Sequence, residues 1–257
     1  MSLTEKNIRE KEFHNSLQNK KRGRFENVFY KAIYNLGEDF FKYLEKKSNN
    51  AEILDYGCGT GLSIEKVAKF NPKKITGIDI SDVSIQKAID KAREGRINVE
   101  YKIDNCEKTK FDQNSFDIVY GTGILHHLQI DKCLEEIRRI LKPGGTLVFI
   151  EPLGTNPIIN LYRKFTPKSR SDDEHPLVNK DFDFINSKFI ETKIKYYGFL
   201  TLIFFPLYRS PKNSKLFKLF SVLDQHLFKS KFFQKFAWSV LITAEKNRAA
   251  VFFLTNN

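Results

Sequence analysis

The amino-acid sequence predicts an α/β fold, a doubly wound and mostly parallel sheet with helices on both faces. Three observations carry this. First, Ile53-Leu54-Asp55-Tyr56 is an apolar strand that runs straight into Gly57-Cys58-Gly59-Thr60-Gly61, a turn with glycines at alternate positions, and a helical stretch follows at once. Glycine permits both a tight turn and close approach of a ligand to the backbone. The N-terminus of the following helix presents free N–H groups and a partial positive charge. Second, residues 74–79 form another short apolar strand ending in Asp79. Asp79 lies about 20 residues beyond the turn, the spacing that sets a carboxylate on ribose hydroxyls. Third, strands and helices alternate from there to Pro152, the pattern of a parallel sheet.

The elements follow in order. Residues 1–24 are polar and predict a helix or partial disorder. Residues 25–46 place Phe25, Val28, Phe29, Ile33, Leu36, Phe40, Phe41 and Leu44 at helical spacing, which predicts one or two amphipathic helices. Strand one is 51–56 with its helix at 62–70. Strand two is 74–79 with its helix at 82–94, and Ser81 is the expected N-cap. Strand three, 99–103, runs into Asp104-Asn105-Cys106. Strand four, 116–121, ends at Gly121 and leads to Leu125-His126-His127-Leu128. A helix over 130–141 sets Cys133, Leu134, Ile137 and Leu141 on one face, and Pro143-Gly144-Gly145 turns the chain into strand five, 145–151. Prolines at 157, 167 and 176 and the acidic run Asp172-Asp173-Glu174-His175 predict short helices and loops over 153–187. Residues 189–205, rich in β-branched and aromatic side chains, read as strand six. A second insertion spans 206–236, and 238–245 reads as the last strand.

The glycine turn, the strand ending in Asp79, the strand leading to the His pair and the Leu141-Lys142-Pro143-Gly144-Gly145 turn, in this order, resemble the class I S-adenosylmethionine-dependent methyltransferases of small-molecule, type 11-like kind. The resemblance covers roughly residues 51–152. It implies a Rossmann-like sheet of seven strands whose last runs antiparallel. It also implies three parts: an N-terminal helical cap (1–50), a cofactor-binding core (51–152), and the rest of the sheet (153–257), whose insertions 153–187 and 206–236 form an acceptor cap. The implied reaction is in-line transfer of a methyl group, leaving S-adenosylhomocysteine. In such enzymes the cofactor supplies the hard chemistry and the protein supplies placement and electrostatics.

Carried over by resemblance, Gly57, Cys58, Gly59 and Gly61 form the floor under the methionine and ribose. Asp55 acts on the amino end, Asp79 on both ribose hydroxyls, and Ile80 on the adenine face. Asp104 accepts from the adenine amino group, Asn105 donates from its backbone, and Gly121 lines the sulfonium. Plainer readings stand beside these. The glycines can serve the turn alone, Asp79 can be a helix N-terminal acid, Asp104 can cap its own loop, and Cys58 and Cys106 read as small packing residues.

Three histidines are candidates for proton chemistry. His126 and His127 titrate near neutrality and can take a proton from an acceptor hydroxyl; packing and helix capping are the alternative. His175 lies where acceptor-facing groups are expected, with an ordinary surface loop as the alternative. His14 and His226 carry no argument beyond their residue type. The chain lacks an Asn/Asp-Pro-Pro-aromatic tetrad after strand four, which disfavours methylation of exocyclic amino groups. No cluster suggests a metal. The expected acceptor is therefore a small molecule, sugar or lipid, methylated on oxygen by default, with nitrogen and carbon left open.

Composition bounds the rest. At 257 residues with 41% hydrophobic content, the chain suits one α/β domain with elaborations. Cys58, Cys106 and Cys133 are widely spaced, which suggests neither a disulfide framework nor a zinc site and points to a reducing, cytoplasmic compartment. Residues 1–24 lack an apolar run, so no signal peptide is expected. The net charge of +12 is uneven: residues 51–150 are neutral, while 188–257 carry 12 basic and 3 acidic side chains. Phenylalanines and lysines interleave over 199–236. That pattern suits an interfacial helix, a lid over a greasy acceptor or a core-packed helix with its lysines in water. It leaves open an RNA or protein methyltransferase, or a cofactor-binding protein without turnover.

Overall fold

The computed structural model describes residues 3–19, 28–166, 171, 173–208 and 210–248. Phe25, Pro167, Asp172 and the chain's last nine residues lie outside these, so the parts of the expectations that concern them do too.

Helix α1 (Glu5–Asn19) precedes α2 (Tyr34–Ser48), which a short 3-10 turn over Val28–Ile33 introduces. Then come β1 (Glu52–Tyr56), α3 (Ile64–Val67), β2 (Lys74–Asp79), α4 (Asp82–Glu94), β3 (Glu100–Ile103), β4 (Phe116–Thr122), α5 (Ile130–Ile140) and β5 (Leu141–Pro152). The remainder is α6 (Pro157–Phe165), α7 (Asn179–Lys188), β6 (Ile190–Tyr197), α8 (Leu200–Ile203), α9 (Lys215–Leu227), α10 (Lys231–Gln234) and β7 (Ser239–Glu245).

One sheet of seven strands runs in the order β3-β2-β1-β4-β5-β7-β6. The pairings among β1 to β5 are all parallel, and β7 is antiparallel to both β5 and β6. The expected doubly wound, mostly parallel sheet is therefore present. Strand alternation divides the apolar core between two faces. Leu54, Val119 and Phe149 join α5 and the α7 residues Phe182 and Ile185 on one face. Ile53, Ile118 and Tyr120 join Phe40 and Leu44 of α2 on the other. The strand order reverses beside β1, between β2 and β4. In an open α/β sheet a crevice for a ligand opens there, outside the carboxyl ends of the strands.

Three local expectations are corrected. The helix at 62–70 is shorter, with a single α turn followed by a 3-10 turn over Ala68–Phe70 that stops at Asn71 in the left-handed conformation. Strand five begins earlier, because Leu141 already pairs with Phe116 before the Gly144 turn at φ +77°. Strand six ends at Tyr197 rather than continuing to residue 205. Gly198, at φ +83°, turns the chain against Ile33 and Trp238, and α8 follows. Asp224 accepts hydrogen bonds from the Leu200 and Thr201 N–H groups at 2.7 and 3.3 Å, supplying the acceptors that a helix start needs. Its partner lies 23 residues downstream, so no local pattern could reveal this helix.

Candidate active site

Ser81 caps α4 as expected, accepting from Ser84 N–H at 3.0 Å. The turn between β1 and α3 is built around Asp79. Gly59 N–H donates to one Asp79 oxygen at 2.9 Å, and Ser81 N–H donates to the other at 2.8 Å. Burial raises the Asp79 pKa, while these backbone donors pull it down. Cys58 N–H donates to Ile78 O at 2.8 Å, which ties the turn to β2. The first strand's acid is deeper: Asp55 is buried and accepts from Tyr120 Oη at 3.0 Å. Burial pushes its pKa up to about 7, with the Asp79 charge adding to the rise.

The turn glycines divide into two kinds. All three have positive φ. A Cβ on Gly57 would lie 2.5 Å from Ile124 Cγ1, and one on Gly61 would lie 2.4 Å from Tyr101 Oη. Gly121 is equally hemmed, by Phe149 and the Tyr56 carbonyl. These three are required by the protein's own packing. At Gly59 a Cβ would meet nothing within 4 Å, so its backbone borders open space beside Asp79. Cys58 is buried, with its sulfur against Gly77, as a packing residue would be. Ile80 is half-buried directly after Asp79.

This floor fits a cationic, ribose-bearing group. Asp79 is held at both oxygens by backbone donors, which leaves lone pairs for hydroxyls. Asp55 is an acid whose ionised form is disfavoured by burial until a cation approaches.

Asp104 and Asn105 are buried but occupied locally. Asp104 Oδ1 accepts from Asn105 N–H at 2.9 Å and its Oδ2 from Lys110 N–H at 3.0 Å. The Asn105 side chain accepts from Glu107 N–H and donates to Asn7 Oδ1 at 3.2 Å. The loop-capping reading of Asp104 thus has direct support.

Helix α1 forms the roof. Asn15 bonds Ser81 after β2, Asn7 bonds Asn105 after β3, and Glu10 meets His127 after β4. The helix therefore reaches the loops after β3, β2 and β4, passing the end of β1 that lies between β2 and β4.

The two adjacent histidines are both buried and differ in their partners. His126 Nδ1 lies 2.6 Å from Glu151 Oε2, and the other Glu151 oxygen accepts from Ile124 and Leu125 N–H at 2.9 and 2.8 Å. This leaves His126 Nε2 directed toward the loop after β5, 3.8 Å from Glu174. His127 Nδ1 is 3.1 Å from Glu10 Oε2, yet neither its ring nitrogens nor that oxygen makes an aligned hydrogen bond. Burial lowers the His127 pKa more than Glu10 raises it. Burial alone would raise Glu10, but His127, His14 and Ser171 outweigh it and hold its carboxyl well below the usual range. His175 lies between the His126 loop and α7. Its backbone N–H donates to His126 O at 2.6 Å, but its half-exposed ring stands 3.7 Å from Asp181, at the start of α7.

Sequence reasoning missed Glu151, Glu10 and His14. Glu151 was legible only as the acid before Pro152 at a strand end. Glu10 and His14 carry one signal, their i, i+4 spacing on a helix.

Residues 54–149 match the family model described as a methyltransferase domain. A sterol 4-C-methyltransferase of Caenorhabditis elegans is 33% identical over 112 residues, covering 42% of this chain and 33% of that protein. A ubiquinone biosynthesis O-methyltransferase of Coxiella burnetii is 32% identical over 111 residues, covering 42% and 47%. The chain thus spans between a third and a half of the length of these curated relatives. Among solved structures, the geranyl diphosphate C-methyltransferase of Streptomyces coelicolor, in complex with Mg2+, geranyl diphosphate and S-adenosylhomocysteine, superposes with a TM-score of 0.65. That likeness covers 96% of this chain and 100% of that one at 16% identity, and it speaks to the fold. The match over residues 54–149 and these relatives support a class I S-adenosylmethionine-dependent methyltransferase domain in this part of the chain.

Proposed function

We propose that this chain moves a methyl group from S-adenosylmethionine to an apolar, lipid-like small molecule, on oxygen. The observation that carries the reading is the pairing of Asp79, held by Gly59 and Ser81, with the open backbone face of Gly59 at the sheet's switch point. The bound cofactor supplies an electrophilic methyl group on a sulfonium. Everything else falls to the chain. Asp79 orients the ribose, Asp55 meets the cationic amino end, and Ile80 offers an apolar surface to the adenine. Asp104 and Asn105 shape the adenine edge, with the Asp104 carboxylate already engaged by its own loop. Helix α1 excludes water from above.

His126 is the candidate base. Glu151 holds its Nδ1 and so orients the ring, leaving Nε2 to take the acceptor's hydroxyl proton. This is why oxygen is preferred. His127 faces the same roof, and His175 lies at its edge. The relatives act on a sterol and in ubiquinone biosynthesis by their names, which supports a lipid-like acceptor.

The C-terminal insertion suits such an acceptor. On α9, Leu216, Leu219, Val222 and Leu223 are exposed at helical spacing, with Lys215 and Lys218 beside them. Only Phe217 and Asp224 of that helix are buried. An apolar stripe edged by lysines complements an anionic membrane surface. Among the described residues no helix is long and apolar enough to cross a membrane. Within the insertions 153–187 and 206–236, α6 and α9 would bound the acceptor, while α7 serves the sheet core. Three buried free cysteines suit a reducing, cytoplasmic setting.

The test is transfer of labelled methyl from S-adenosylmethionine to an extract fractionated into lipid, RNA and protein, presented with and without anionic vesicles. Label is expected in the lipid fraction, raised by vesicles and abolished by Asp79→Ala. Label confined to RNA or protein would overturn the reading.

A further inference from the structure

Glu10, His14 and His127 meet at the roof, where Glu10 and His14 have no part in the proposed cofactor binding or proton transfer. Each offers one ligand atom, and the three atoms lie within 4.8 Å of one another. Glu10 Oε2 is 3.1 Å from His127 Nδ1 and 3.5 Å from His14 Nε2. A tetrahedral ion with bonds of about 2.05 Å needs ligand atoms about 3.3 Å apart. Two of the three edges already match.

A second observation points the same way. Glu10 Oε2 and both His127 ring nitrogens are buried without a hydrogen bond. Leaving buried polar atoms unpaired is costly, and such groups ordinarily find a partner. Here Glu10 Oε2 and one His127 ring nitrogen face each other, with a ring nitrogen of His14 completing the group. The surroundings also hold the ligands in place. Ser171 Oγ donates to the Glu10 carboxylate. The His127 ring packs on His126 at 4.1 Å between centroids, and Glu151 anchors His126. The i, i+4 spacing sets Glu10 and His14 on one face of α1.

We propose that Glu10, His14 and His127 form a binding site for a divalent first-row transition metal ion, of the zinc type. Two imidazoles with one carboxylate suit Zn2+ or Co2+ and disfavour Mg2+ and Ca2+, which prefer oxygen ligands. Three protein ligands leave a fourth position for water or an anionic oxygen. The ion also pins α1 to the loop after β4, which closes the roof. The site stands on these three side chains and does not depend on the methyl-transfer reading.

The test uses tag-free, chelator-treated protein titrated with Co2+ and then Zn2+. One Co2+ per chain at micromolar concentration is expected, with the visible absorption of a four- or five-coordinate ion, displaced by Zn2+. Glu10→Gln and His14→Gln, each shown by circular dichroism to be folded, should each weaken binding at least a hundredfold. Absence of stoichiometric Co2+ binding by the folded protein would overturn the proposal. So would binding that survives both substitutions, since the ion would then lie elsewhere.

Discussion

The floor and the roof of the site are built differently. The floor comes from the sheet: Asp79 is held at both oxygens by backbone donors, and three of its neighbouring glycines are locked against Ile124, Tyr101 and Phe149. The roof comes from one helix, and among the described residues it leaves Glu10 Oε2 and both His127 ring nitrogens without an aligned hydrogen bond. The floor has its geometry before any ligand arrives. The roof has ligand-capable atoms that find no hydrogen-bond partner among the described residues. Preorganisation thus belongs to the strand ends, and adaptability to the segment laid over them.

The largest effect that can break this contrast is on stability, at the glycines. Gly57→Ala forces a Cβ to within 2.5 Å of Ile124 at a positive φ, and should cost about 2–4 kcal/mol from strain and overpacking together. Gly59→Ala meets open space and should cost only about 1 kcal/mol of backbone strain, while crowding the cofactor. Thermal melts and cofactor titration on both variants check this. Equal destabilisation would erase the distinction between packing and binding glycines.

A comparable effect concerns pH. The Asp55 pKa is raised to about 7 in the fold, so its neutral form is favoured there. Its contribution to stability is present below its unfolded value near 4 and is lost as pH rises through about 7. Asp55→Asn should therefore match the wild type near pH 4 and exceed it by about 4 kcal/mol near pH 8, in the absence of cofactor. Denaturant melts across that range measure the difference. A difference that does not change with pH would show that Asp55 is not held neutral by burial.

The legibility of the molecule follows the same division. The floor could be read because its signals are contiguous: a strand, alternate glycines, a second strand and its terminal acid. The glycines' separate duties could not, since Ile124 and Tyr101 reach them from other elements. The roof was mostly hidden. Glu10, His14 and His127 are brought together across more than a hundred residues, and spacing hints only at the first two. The α8 turn was read as strand because its aromatic, β-branched composition outweighed the distant Asp224 cap. His175 was placed by loop position, and its ring turns toward Asp181.

The central claim is that the floor is a finished cofactor site organised by Asp79. Calorimetric titration with S-adenosylmethionine and S-adenosylhomocysteine, on the wild type and on Asp79→Ala, tests it most directly. Losing two hydrogen bonds to a charged group should weaken binding about a hundredfold or more. The account predicts micromolar binding to the wild type and that loss in a folded variant. No binding to the folded wild type, or equal binding by both proteins, would contradict it.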